Sequence, residues 1–78
     1  MTRVIIHHGK AGRSIDRLVK EYEFKYPYQY WMYIIDSYYN GHKQQAIELF
    51  NAMRGENQKA MLLNCENPRF VEFIILNL

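Results

Sequence analysis

Apolar and polar positions alternate along this chain with a helical period in three places, and the densest is Tyr28 to Tyr39, YQYWMYIIDSYY. At about 100° per residue, Tyr28, Trp31, Met32, Ile34, Ile35, Tyr38 and Tyr39 share an arc of roughly 160°. Gln29, Tyr30, Tyr33, Asp36 and Ser37 fall on the other side. An arc that wide belongs to a helix packed against more than one neighbour, so this segment is expected to be the central helix of a small bundle. The same arc predicts Trp31 inside and Tyr30 and Tyr33 in solvent.

Punctuation sets the bounds of that helix. Pro27 cannot sit in a helix interior, biases Tyr26 towards extended backbone and suits a first turn. Asn40-Gly41 closes the other end, because glycine can take the left-handed conformation. A connection this short makes the next helix an antiparallel neighbour. That neighbour runs from His42 to Arg54, with Ala46, Ile47, Leu49, Phe50 and Met53 inward and Gln44, Gln45, Glu48 and Asn51 outward, and Gly55 is expected to end it. Residues 28–53 are thus a helical hairpin. Upstream, Ser14 can cap a helix reaching about Lys25, whose inner face is Ile15, Leu18, Val19, Tyr22 and Tyr26 and whose outer face is Arg13, Arg17 and Lys20.

The two ends are less regular. Arg3 to His8 is short and β-branched and reads as a strand or an extended arm, followed by a break at Gly9 to Gly12. Glu56 to Asn64 consists of helix formers without a clear face. Asn67-Pro68 has the form of an N-cap and a first-turn proline, and Phe70 to Leu78 is apolar at nearly every position, where periodicity does not separate a buried helix from a buried strand. The expected fold is mainly α, a single domain over residues 1–78: an extended arm and glycine-containing loop over 1–12, then a helical body over 14–78. The alternative is α+β, with a two-stranded ribbon pairing residues 3–7 and 70–76.

From Gly41, GHKQQAIELFNAM resembles the second helix of a pentatricopeptide-type repeat, and IIDSYYNG before it resembles the end of the first. Such proteins bind single-stranded RNA through stacked tandem units. This chain lacks one residue of the pattern between Tyr38 and Gly41 and has no convincing second unit, and one unit cannot build the tandem surface. The resemblance implies two amphipathic helices around a tight turn and nothing about a ligand.

Composition adds a constraint on size. Seventy-eight residues with 49% hydrophobic side chains either pack tightly or complete their burial against another molecule, so self-association is expected. Five of the seven tyrosines and the one tryptophan fall within 28–39, and each hydroxyl needs water or a partner. The net charge of +2 is uneven: residues 1–25 carry +3 and the remainder −1, so an anionic partner would meet the N-terminal third. One cysteine excludes an internal disulfide. With no secretory signal and no apolar run long enough to span a bilayer, the expected setting is a reducing interior, the cytoplasm, with no membrane association.

Candidate chemistry is sparse. Lys10, Arg13, Arg17 and Lys20, beside flexible Gly9 and Gly12, form a basic stripe that could contact a phosphate through the Gly12 and Arg13 amides, or a nucleic acid; a Walker A loop is absent. His7, His8 and His42 are not at ligand spacing, so no metal or cofactor is implied. No spacing proposes a nucleophile with a base, so the protein is read as no enzyme, and no small-molecule substrate is implied. Phe24, Tyr30 and Tyr33 are the expected protein-interface residues, because outward aromatic rings give large contact area with few rotatable bonds. The function expected is a small non-catalytic intracellular binding or adaptor protein acting on a protein partner or on its own second copy; the alternative is a nucleic-acid-binding regulator that uses the basic stripe.

Overall fold

The computed structural model describes residues 2–78, in five helices: α1, Ile15–Glu21; α2, Pro27–Tyr39; α3, Lys43–Ala52; α4, Gly55–Asn64; and α5, Pro68–Leu76. The mainly α expectation holds, as does the hairpin: α2 packs chiefly on α3 and then on α1. Gly41, at φ +82°, turns the chain between α2 and α3. At the start of α2, Gln29 reaches back so that its Oε1 accepts from the amides of Lys25 and Tyr26, satisfying donors that a helix start leaves open. The Asn67-Pro68 signal also holds, because Asn67 Oδ1 accepts from the amides of Arg69 and Phe70.

The ribbon alternative is not formed. Residues 70–76 lie in α5, and among the described residues there is no strand, only one bridge between Arg13 and Met53. The arm is extended, but side chains take the place of a neighbouring strand. The Asn51 carboxamide accepts from Ile5 N at 2.8 Å and donates to Arg3 O at 2.8 Å. The Gln58 carboxamide repeats this two residues on, accepting from His7 N at 3.0 Å and donating to Ile5 O at 2.8 Å. Each amide thus satisfies a C=O and an N–H two residues apart, as one residue of a parallel strand does. Val4 N donates to Asn77 O on the other edge, and the Val4 side chain enters the core.

The end of α3 organises the rest. The last four carbonyls of a helix have no partner within it, and here four separate segments supply one. Leu49 O accepts from Tyr30 Oη of α2 at 2.6 Å. Phe50 O accepts from Gln58 Nε2 of α4 at 3.2 Å. Asn51 O lies 2.6 Å from Nε2 of His7 in the arm, and since a carbonyl can only accept, that nitrogen carries the proton. Ala52 O accepts from Arg13 N, ahead of α1, at 2.8 Å. Around this point the core closes with Leu18, Ile34, Ala46, Ile47, Phe50, Met53, Met61, Phe70 and Ile74.

Three expectations are corrected. Helix α1 stops at Glu21 rather than near Lys25, because Glu23 takes φ +59° and swings Phe24 back; Tyr22 and Phe24 then stack on each other and meet Tyr33, with ring centroids about 6 Å apart. Tyr22 and Tyr26, placed inward in the sequence, are largely exposed. Gly55 does not end α3; Met53 and Arg54 are extended and Gly55 opens α4, because the His7 carbonyl passes over its Cα where a side chain would collide. Gly12, at φ +88°, has a similar role against Met53 O.

Helix α2 is rotated from the expected orientation. Tyr30, placed in solvent by the sequence pattern, is 0% exposed, and the sealed face is Tyr30, Ile34 and Ser37. Tyr33 is half-buried, and its hydroxyl accepts from Gln45 Nε2, which also donates to Ser37 Oγ. Trp31 and Ile35 are half-buried, while Tyr28, Met32 and Tyr39 stand in solvent. The reason lies in hydrogen bonding. Almost every position of α2 is apolar, so hydrophobicity discriminates weakly among rotations, and the partners available to Tyr30 Oη and Ser37 Oγ decide between them.

Candidate functional site: an apolar groove on α2

The rotation leaves an open groove of about 700 Å³ between α2 and the α4–α5 turn. Tyr28, Trp31, Met32, Ile35 and Tyr39 form one wall, Met61 lies at its base, and residues 64–69 form the other. Asn67 Nδ2 donates to Tyr39 Oη and ties the two walls together at one end. The Trp31 indole N–H has no hydrogen-bond partner and is shielded from solvent. Cys65 is a free thiol at intermediate exposure, with only a weak contact to Asn67 O at 3.7 Å.

The groove's lining holds one thiol, one carboxylate (Glu66) and one guanidinium (Arg69) among aromatic and aliphatic side chains, and no histidine. Among the described residues no three His, Cys, Asp or Glu side chains gather as a metal-ligand set. No helix among them is long and apolar enough to cross a membrane.

The residues singled out from the sequence are dispersed. Lys10, Arg13, Arg17 and Lys20 are exposed, but Arg13 Nη1 lies 2.5 Å and Arg17 Nε 3.2 Å from the two carboxylate oxygens of Glu21, so one anion serves two of the four cations. The Arg13 amide expected to meet a phosphate already donates to Ala52 O. Phe24 and Tyr33 are half-buried in one ring cluster. Tyr30, sealed and hydrogen-bonded, offers no interface at all; burial pushes its phenol well above the usual tyrosine range, with Tyr22 adding to the effect.

Sequence reasoning missed this groove because it assigned the Met32 side of α2 to the interior. The signal was there in another form: α2 has a single charged residue, Asp36, over its whole length, and a helix apolar on all sides expects cover on all sides. Comparison with protein-family models, with curated proteins and with solved structures gives no significant match for this chain.

Proposed function

We propose that this is a non-catalytic binding or adaptor protein of a reducing, cytoplasmic setting that acts through protein–protein contact at the α2 groove. The observation that carries the reading is the outer face of α2: Tyr28, Met32 and Tyr39 are each more than half exposed and adjoin the groove walls. Large exposed apolar patches on small folded chains are characteristic of interaction sites, and tyrosine, tryptophan and methionine are the residue types enriched there. The test is a pull-down from the native host with wild-type chain and with Met32→Glu. A protein retained by the first and lost with the second supports the reading; an identical set of retained proteins refutes it.

Nucleic-acid binding through Lys10, Arg13, Arg17 and Lys20 is the second reading, favoured by the exposure of all four and weakened by Glu21. Binding to mixed oligonucleotides that falls steeply between low and physiological salt, and is lost in the triple change Arg13→Glu, Arg17→Glu and Lys20→Glu, would support it. Salt-independent binding would remove it.

A further inference from the structure

Tyr28, Met32, Ile35 and Tyr39 lie within about 60° of one another around α2. They fall opposite the sealed face of Tyr30, Ile34 and Ser37, and three of the four are largely left open by the bundle: Tyr28, Met32 and Tyr39 are 54%, 54% and 62% exposed, while Ile35 between them is half-buried against the core. Helix α3 differs, with Lys43, Gln45 and Glu48 on its solvent side. Along the stripe of α2 there is no charge, and Asp36 lies at its margin.

We infer that a second copy of this chain covers the stripe, pairing α2 with α2 antiparallel about a twofold axis midway between Met32 and Ile35. The inference rests on the reading of the α2 face as a protein interface and names its occupant. The steps along the stripe are four, three and four residues, the alternation of a coiled-coil seam. That order is the same in both directions. An antiparallel copy aligned on the midpoint therefore sets Tyr28 against the partner's Tyr39 and Met32 against the partner's Ile35, so that two tyrosine layers flank two aliphatic ones. A twofold axis requires such self-complementarity, since each element of the patch must meet its mate twice. The opposed helix dipoles favour the same direction, and Asp36 stays hydrated at the seam's edge.

The area sets the strength. The exposed parts of the three side chains, with the groove walls beside them, amount to on the order of 500 Å² per copy, or about 1,000 Å² in the pair, the lower edge for a specific interface. The pair is thus a weak dimer that dissociates on dilution.

Sedimentation of the intact chain from about 5 µM to about 1 mM should show mass rising from monomer to dimer. Met32→Glu should hold it at the monomer mass with an unchanged circular-dichroism spectrum, because the side chain replaced is in solvent. Orientation is read in a Cys65→Ser background: mixed Tyr28→Cys and Tyr39→Cys chains should give the heterologous cross-link with a short bismaleimide in excess over either homologous one. This arm does not depend on how Met32→Glu folds. A monomer at every concentration, a dimer that survives Met32→Glu, or homologous cross-links in excess would each overturn the inference. A monomer that still loses a host protein on Met32→Glu would refute the second copy as occupant while upholding the broader reading, and a monomer with no such loss would refute both.

Discussion

The hydroxyl of Tyr30 donates a 2.6 Å hydrogen bond to the carbonyl of Leu49, a backbone oxygen that helix α3 cannot satisfy from within. Removing the hydroxyl leaves that oxygen buried and unpaired, at a cost of about 1–3 kcal/mol. Tyr30→Phe should lower stability by this amount in urea unfolding at pH 7, and a change under about 0.3 kcal/mol would contradict the role assigned to the bond.

The same tyrosine predicts a pH dependence. Burial raises its folded-state pKa above the ordinary value of 10.0, so below pH 10 both folded and unfolded states hold the proton and its contribution is complete. As pH rises past 10 the unfolded chain releases the proton while the folded one retains it, and stability falls. The gap between wild type and Tyr30→Phe should therefore narrow above pH 10. A gap that is constant from pH 8 to about pH 11 would count against a shifted pKa.

Gln58 is fully buried and uses both amide protons and its oxygen, on Ile5 O, Phe50 O and His7 N. Gln58→Leu keeps similar bulk and strands Ile5 O and His7 N, whereas Phe50 O keeps the Met53 amide as a donor. The expected result is a loss of several kcal/mol, together with faster hydrogen exchange at the His7 amide than at the Leu18 amide, which lies in α1. Equal acceleration at both would mean the arm is not held separately by this side chain.

Glycine at an early helix position normally gains from replacement by alanine, by up to about 1 kcal/mol. At Gly55 the added Cβ would run into the carbonyl of His7, so Gly55→Ala should instead lower the melting temperature. A rise would show that the arm yields without cost.

The proton on His7 Nε2 is required by its 2.6 Å approach to Asn51 O. Nitrogen chemical shifts of the neutral ring should report the Nε2–H tautomer, and an Nδ1–H ring would be incompatible with the arm's position.

Much of the helix inventory was legible before any coordinates. Pro27, Gly41 and Asn67-Pro68 act through local backbone geometry, and each marks a boundary where the structure has one. Ala46, Ile47, Leu49 and Phe50 were legible as the inner face of α3 because polar residues flank them, and all four are buried, as is Met53 just beyond the helix end. Glu23 carried no such mark: its left-handed backbone lets Phe24 N donate back to Val19 O, and the neighbouring rings of Tyr22 and Phe24 both meet Tyr33, ten residues on. The groove was illegible for a related reason, since its second wall comes from residues 64–69, far along the chain from Met32.

Local chemistry along the chain was enough to specify helices, where most of them begin and end, and which side of α3 faces inward, because proline, glycine, capping side chains and a contrasted polar pattern act over a few residues. Which side of α2 faces inward was left to the tertiary structure. A helix that is apolar nearly all round has little hydrophobic preference among its rotations, and the rotation adopted is the one that brings Tyr30 Oη to Leu49 O, nineteen residues away. That bond exists only once α3 has docked, and it is what turns Met32 and its stripe towards solvent.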